Sequence, residues 1–231
     1  NRYDTKGDTI FYLVLQAITG SGKTVIASKY IEALSPNSKE GILEELAFIW
    51  LSVGSGNLHV QSAKKLKSYL PEGTKIMFAD EAVFNPVLNP GEILVLNWES
   101  LNTKKVDKIT GKRVFDNIFM RDGDNPNLQI LWENTRNAGI KIVLIIDESH
   151  NTAGSETSRE IINLIDPALV VELSATPDFA NPNVKGEYDY CTVRAIDVIN
   201  AGVIKKNIRL NDTTDVENSE GVLENLLNQA I

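Results

Sequence analysis

A glycine-rich segment near the start of the chain constrains the fold more than any other feature. The apolar run at 10–15 leads into the octet AITGSGKT at 17–24, and an apolar, helix-compatible stretch follows. Gly20 and Gly22 allow the backbone to curl until successive N–H groups point at one anion, and the helix that begins near Gly22 adds its positive dipole end. Lys23 is then able to reach the β- and γ-phosphates of a nucleotide, and the Thr24 hydroxyl is able to hold Mg²⁺.

The octet therefore predicts a phosphate-binding loop. An octet of this kind also arises by chance, as a glycine-containing turn between a strand and a helix with a solvated lysine. The flanking strand and helix favour the binding loop over that alternative. Its predicted nucleotide-binding residues are Thr19, Gly20, Ser21, Gly22, Lys23 and Thr24.

A second buried strand, at 141–146, ends in two carboxylates. Its sequence KIVLII is a short continuous apolar run rich in β-branched residues, which is typical of a strand buried on both faces. Asp147 and Glu148 follow at its carboxyl end, where ligands bind in open α/β sheets. Asp147 is placed to hold Mg²⁺ with its water shell, and Glu148 to orient and deprotonate a water that attacks the γ-phosphate. The alternative is a solvated turn that caps the next helix.

A third interior strand, at 169–173, ends in hydroxyl side chains. Ser174 and Thr176 follow it, and Pro177 prevents simple continuation of the strand. We expect these hydroxyls to lie beside the two carboxylates at the same edge of the sheet. An ordinary Ser/Thr turn is the alternative for this segment taken alone.

The three segments together resemble a known group of proteins. AITGSGKT, DESH at 147–150 and SATP at 174–177 are similar in sequence and order to motifs I, II and III of superfamily 2 helicases and translocases. Within that group the chain most resembles the Res subunit of type III restriction enzymes and related DEAD/DEAH-like proteins. Residues 48–58 and 93–101 resemble motifs Ia and Ib, and the resemblance covers roughly residues 10 to 210.

The resemblance implies a fold and a set of roles. The fold is a three-layer RecA-like P-loop NTPase with a mostly parallel, doubly wound sheet, and the activity is hydrolysis of ATP with Mg²⁺, coupled to movement along nucleic acid. Lys23, Asp147 and Glu148 are the implied catalytic residues, with Thr24 and Asp147 on the metal. His150, Ser174 and Thr176 are expected to relay the nucleotide state to a nucleic-acid groove. The implied nucleic-acid contacts, mainly to the phosphate backbone, are Gly54, Ser55, Asn57, Asn97 and Ser100.

Strands alternate with helices along the chain, which predicts a mostly parallel sheet. Residues 103–124 interrupt the alternation with a pattern typical of a projecting hairpin. We expect residues 1–210 to form one ATP-binding domain, with further strands near 188–193 and 203–210. Residues 211–231 are expected to be a linker and a helix that lead to a second RecA-like domain in the same protein.

Composition narrows the class of protein. The net charge of −8 argues against nucleic-acid binding over the whole surface, although a local groove remains compatible with it. Lys64, Lys65 and Lys67 form a small basic cluster whose alternative interpretation is a solvated helix face. The single cysteine, Cys191, excludes an internal disulfide and is expected in the core. No apolar run is long enough to span a bilayer, so we expect a cytoplasmic domain.

Three functions remain open at this point. The first is the motor lobe of a DNA translocase or restriction enzyme, with a modification methyltransferase subunit as a further partner. The second is an RNA helicase lobe, although DNA is favoured over RNA. The third is a nucleotide-dependent nucleic-acid-binding switch without motor activity. In each case the isolated lobe is expected to be nearly inactive as an ATPase, because the arginine fingers that complete such sites belong to a second lobe.

Overall fold

A computed structural model describes most of the chain. The described residues are 10–35, 45–53, 56–109, 111, 113–117, 119–120, 126–152, 155–180 and 188–203. A single turn of 3-10 helix occupies Ser149–Asn151. In chain order the other elements are β1 (Phe11–Ala17), α1 (Lys23–Leu34), β2 (Leu46–Ser52), α2 (Leu58–Tyr69), β3 (Ile76–Met77), α3 (Ala79–Ala82), β4 (Ile93–Asn97), α4 (Trp98–Leu101), β5 (Lys104–Val106), β6 (Arg113–Phe115), α5 (Leu128–Asn137), β7 (Lys141–Asp147), α6 (Glu156–Ile165), β8 (Leu169–Ser174), β9 (Asp189–Val193) and α7 (Ala195–Asn200).

Seven of the strands form one sheet, and every described pairing in it is parallel. The strand order is β3-β4-β2-β7-β8-β1-β9. Parallel neighbours require crossover connections, and the helices between the strands supply them. Two strands that come late in the chain, β7 and β8, lie between β1 and β2. The strand that ends in Ser174 therefore lies next to the strand that leads into the phosphate loop, and the strand that ends in Asp147 is the next one in the sheet.

The central strands are buried because helices cover both faces of the sheet. All seven residues of β2 are buried, as expected for a strand with apolar side chains on both faces. One core cluster joins a face of the sheet to α1 and α2, through residues such as Ile31 and Leu66. A second cluster joins the opposite face to α5 and α6, through residues such as Trp132 and Ile161. The molecule thus has three layers, and the prediction of a parallel, doubly wound α/β fold is confirmed.

The insertion predicted at 103–124 contains the expected hairpin. β5 and β6 pair in antiparallel fashion, with Lys104 opposite Phe115 and Val106 opposite Arg113. The following helix begins at Leu128, where the Asn127 side chain accepts a hydrogen bond from the Gln129 N–H and caps the helix. Two four-residue helices, α3 and α4, were not predicted from the sequence pattern.

The C-terminal strand is more exposed than expected. β9 pairs with β1, and in the part of the chain that the structure describes no other strand pairs with it. The prediction that Cys191 is a core residue is wrong, because its side chain lies exposed on this edge strand. The exit strand expected at 203–210 and the linker and helix expected at 211–231 lie outside the described residues, except for Val203. None of the described helices combines the length and the apolarity that crossing a membrane requires.

Candidate active site

The three predicted motifs converge at the carboxyl edge of the sheet. The register of the strands shows this convergence, because Asp147 is paired with Leu173 and Ser174 is paired with Gln16. On the other side, Asp147 is paired with Ser52 at the end of β2. The phosphate loop, the two carboxylates and the hydroxyl segment therefore begin at the same level of three adjacent strands. This arrangement follows from the strand order, in which β7 and β8 separate β1 from β2.

The phosphate loop has the backbone conformation that its glycines predict. Gly20 and Gly22 have φ angles of 83° and 86°, in the left-handed region that favours glycine. The Ser21 N–H donates to the Ile18 carbonyl at 3.1 Å, which closes the turn, and α1 begins directly afterwards at Lys23. Within the described part of the chain, the Ser21 hydroxyl oxygen is buried without a hydrogen-bond partner. A buried hydroxyl in such a loop has a natural acceptor in a phosphate oxygen.

Lys23 is buried and held by two oxygen acceptors. Its side chain is only 8% exposed, and its Nζ donates to the Ala17 carbonyl at 3.2 Å. The same Nζ lies 3.1 Å from Oε1 of Glu148, the second carboxylate of DESH. A buried ammonium needs such partners, because an unpaired charge in this environment is strongly disfavoured. The contact links motif I to motif II directly, and sequence spacing gave no indication of it.

Asp147 has an unusual protonation equilibrium. Burial, together with the neighbouring charge of Glu148, raises the pKa of its carboxyl to about 6. Lys23 and Lys65 act in the opposite direction, as does the hydrogen bond from the Glu148 backbone N–H. A divalent cation at this carboxylate would relieve the same unfavourable burial of negative charge.

Glu148 adopts a strained backbone conformation. Its φ and ψ are 57° and 47°, in the left-handed region that non-glycine residues rarely occupy. Such strain costs on the order of 1 to 3 kcal/mol and concentrates at functional sites. Here the left-handed turn follows directly on the end of β7 and accompanies the contact between the Glu148 carboxylate and Lys23. A glutamate held in this way is the kind of group that can position a water for attack.

The residues expected to relay nucleotide state do lie together. His150 Nδ1 is 3.2 Å from Ser174 Oγ and 3.5 Å from Oε2 of Glu148. Ser174 is fully buried, and its Oγ also accepts the Thr176 backbone N–H at 3.1 Å. A chain of contacts thus runs from the carboxylate of motif II to the backbone of motif III. Its existence agrees with the predicted grouping, while its role in coupling stays a prediction.

The donor set fits a nucleotide with Mg²⁺ better than a metal bound by protein alone. Within the described residues, no three His, Cys, Asp or Glu side chains cluster as a complete metal site. Mg²⁺ characteristically keeps waters and substrate phosphate oxygens, and takes one or two carboxylate ligands from the protein. Asp147 at the end of β7 and Thr24 in the first turn of α1 are the residues that would hold it. The residues present therefore fit the group.

The expected nucleic-acid contacts are only partly described. Gly54 and Ser55 lie outside the described residues. Asn57 is exposed at the start of α2, and its side chain makes no capping hydrogen bond there. Asn97 and Ser100 instead engage each other, because Asn97 Oδ1 accepts the Ser100 N–H at 3.0 Å and Ser100 Oγ donates to the Asn97 carbonyl at 2.8 Å. A nucleic-acid role for these residues stays a prediction, and the structure adds a local capping role.

The structure contains a cavity beside these residues that the sequence pattern did not predict. It has a volume of about 630 Å³ and lies between the starts of α2, α3 and α4. Phe78 and Phe119 line it together with His59, whose ring packs edge-on against Phe78 at 5.7 Å between centroids. Phe119 belongs to the insertion, and no periodic or motif signal in the sequence marks it as a site residue.

Comparison with known proteins gives one family match. The sequence model of the family described as type III restriction enzyme, res subunit, matches residues 6–179. No curated protein matches the chain. Among solved structures, the Hef helicase domain of Pyrococcus furiosus is similar over 83% of this chain, with 15% sequence identity and a TM-score of 0.41, and the chain spans 36% of the length of that structure's chain. The family match and the seven-stranded parallel sheet agree with the predicted RecA-like α/β fold.

Proposed function

Because the chain belongs to the family of the type III restriction enzyme Res subunit and has the ATP-binding lobe of a superfamily 2 helicase, we propose that it powers a DNA translocase or helicase. In this proposal it acts as the restriction subunit of a type III restriction-modification-like system, with a modification methyltransferase subunit as partner. The observation that carries the proposal is the contact between Lys23 and Glu148 at 3.1 Å, beside Asp147 and the phosphate loop. One lysine and two carboxylates at the same edge of a parallel sheet form the constellation that phosphoryl transfer from a nucleotide requires.

Lys23 is proposed to exchange partners during the cycle. Its ammonium contacts Glu148 and the Ala17 carbonyl, and both acceptors are weaker partners than a multiply charged triphosphate. When Lys23 turns to the β- and γ-phosphates, the Glu148 carboxylate loses its cation and becomes available as a base. Nucleotide binding would in this way prepare the residue that activates water.

Asp147 and Thr24 are proposed to hold Mg²⁺. When bound, this ion neutralises developing charge on the phosphate oxygens. Because the pKa of Asp147 is raised, its ionised form is disfavoured without a cation, and a bound Mg²⁺ would favour ionisation of the carboxyl. Glu148 then accepts the proton of the attacking water, with His150 at 3.5 Å from its other oxygen.

The proposed coupling path leads from Glu148 through His150 to Ser174. A change in the position of Glu148 alters a contact chain that ends at the Thr176 N–H, in the segment that follows β8. Residues 211–231 are proposed to lead to a second RecA-like domain, which would supply arginine fingers and the other half of the nucleic-acid groove. Nucleic acid held across both lobes would then move with each ATP hydrolysed.

The proposal is tested by measuring the ATPase activity of the intact protein with single-stranded DNA, duplex DNA and RNA in parallel. We expect stimulation by DNA, and a loss of turnover of about 10²-fold or more in Glu148→Gln with nucleotide binding retained. Glu133→Gln, an exposed glutamate on α5, is the matched control and is expected to keep wild-type turnover.

Other outcomes point to the other functions. Stimulation by RNA alone would favour an RNA helicase. ATP binding and hydrolysis without any directional movement on nucleic acid would favour a nucleotide-dependent switch. Turnover within about twofold of wild type in Glu148→Gln would refute the catalytic assignment of DESH.

A further inference from the structure

The cavity between α2, α3 and α4 opens at the functional edge of the sheet. Asn97 ends β4, Phe78 follows β3, and Gly56 lies between β2 and α2, so the walls come from the carboxyl ends of three parallel strands. β2 is also the direct neighbour of β7, the strand that ends in Asp147. The volume of about 630 Å³ lies within the range of cavities that bury small organic ligands, roughly 300 to 1,000 Å³.

The walls of the cavity present aromatic and apolar surface. Phe78 and Phe119 are both partly exposed, and each also packs against one of the two cores, which holds its ring in place. His59 stands edge-on to Phe78, with an interplanar angle of 89°. Its Nδ1 is buried and, within the described part of the chain, has no hydrogen-bond partner. Rings that are already immobilised stack on a planar ligand at little cost in side-chain entropy.

The charges around the cavity disfavour phosphate. Asp80 and Glu99 line it, and no lysine or arginine occurs among its described lining residues. A phosphate group placed there would meet the Asp80 carboxylate, and none of the described lining residues is a lysine or an arginine that would compensate the repulsion. The cavity instead suits a neutral heterocycle with amino groups, because a carboxylate oxygen accepts hydrogen bonds from the N–H groups of an amine such as N4 of cytosine.

From these observations we propose that the cavity takes an unpaired nucleobase from the strand that passes along this edge of the sheet. Phe78 and Phe119 provide stacking surfaces, and the Asp80 carboxylate favours bases that carry an exocyclic amino group. The inference rests on the proposed function, since it assumes that a nucleic-acid strand occupies the groove. The inference adds a contact to a base to the phosphate contacts that were expected at Asn97 and Ser100. In the structure these two residues cap α4.

The test compares two strands of equal charge and length on the intact protein. One is an oligodeoxycytidine of about 12 nucleotides, and the other is an abasic strand of the same number of phosphates, built from tetrahydrofuran units. Affinities are measured at pH 8 and fixed salt. The deciding quantity is the ratio of the two affinities in wild type, Phe119→Leu and Phe84→Leu. Phe84 is 76% exposed and does not line the cavity, so it is a matched control for the same change of side chain.

We expect Phe119→Leu to lower the affinity for the oligodeoxycytidine about 5-fold or more while the affinity for the abasic strand stays within about twofold, because stacking on an aromatic ring contributes at least about 1 kcal/mol per base. Phe84→Leu is expected to leave the ratio unchanged. Phe78→Leu is a second variant that removes the other ring, and thermal unfolding of each variant shows whether it is folded. A loss of the same size in Phe78→Leu would support the cavity as the site.

Two results overturn the inference in distinguishable ways. If folded Phe119→Leu and Phe78→Leu keep the wild-type ratio of affinities, or lower both affinities equally, the cavity does not hold a base and the proposed motor function stands. If the wild-type protein binds neither strand and no nucleic acid stimulates its ATPase, the proposed function fails and the inference fails with it.

Discussion

Asp147→Asn is expected to stabilise the fold at neutral pH while it removes Mg²⁺-dependent activity. The Asp147 carboxyl ionises with difficulty, because burial raises its pKa from 3.8 to about 6 and Glu148 lies next to it. Asparagine has nearly the same shape, carries no charge, and keeps an oxygen that accepts the Glu148 backbone N–H. The amide is however a poorer ligand for Mg²⁺ than a carboxylate, so ATP turnover should fall.

The size and the pH dependence of the stabilisation follow from linkage. The difference between a pKa of 3.8 in the unfolded chain and about 6 in the folded chain means that ionised Asp147 destabilises the wild-type fold by about 3 kcal/mol. Between about pH 4 and pH 6 the folded wild-type chain binds more protons at this site than the unfolded chain, so its stability falls as the pH rises through this window. The advantage of Asp147→Asn should therefore be about 1 kcal/mol at pH 4.5 and about 3 kcal/mol at pH 8.

The measurement is urea denaturation of wild type and Asp147→Asn at these two pH values, with equal m-values as the condition for comparison. Asp80→Asn changes an exposed aspartate in the same way, and its free energy of unfolding should stay within about 0.5 kcal/mol of wild type at both pH values. If the difference between Asp147→Asn and wild type were absent at pH 8, or were the same at both pH values, the reasoning from burial of this carboxylate would be wrong.

Three further predictions concern the site. The 231-residue chain alone should bind Mg·ATP weakly and hydrolyse it slowly in a phosphate-release assay, because the arginine fingers are proposed to come from a second lobe and loss of one costs roughly 10³ to 10⁵ in turnover; robust turnover stimulated by nucleic acid would contradict this. Lys23→Ala should weaken nucleotide binding and hydrolysis together in equilibrium binding and steady-state assays, since it removes the cation that contacts Glu148 and is expected to contact the phosphates; unchanged nucleotide affinity would count against the loop assignment. Ser174→Ala should reduce stimulation of ATPase by nucleic acid about 10-fold while basal turnover stays within about threefold, because its Oγ joins His150 to the Thr176 N–H, and equal loss of both rates would argue against a coupling role.

Continuous apolar runs in the sequence predicted the central strands of the sheet well. β7 begins at the predicted residue and ends one residue beyond the predicted bound, because its apolar run is continuous and ends abruptly in carboxylates, as burial on both faces requires. Cys191 shows the limit of that argument. Its strand has mixed character, and whether such a strand lies in the centre or at the edge of a sheet depends on the strand order, which the local pattern does not contain. β9 lies at the edge beside β1, so its side chains remain exposed.

In the candidate site, too, some features were predictable from the sequence and others depended on the strand order. Local chemistry at strand ends was sufficient to predict that Lys23, Asp147 and Glu148 lie together, because each follows a strand of the sheet and parallel strands bring their carboxyl ends to one edge. The contact between Lys23 and Glu148 needed β7 and β8 to lie between β1 and β2, which only the three-dimensional arrangement reveals. The cavity was harder still to predict from the sequence, because its walls come from separate segments around Gly56, Phe78, Asn97 and Phe119. A site assembled from single residues of four segments leaves no motif, so its chemistry becomes readable only once the fold has brought those residues together.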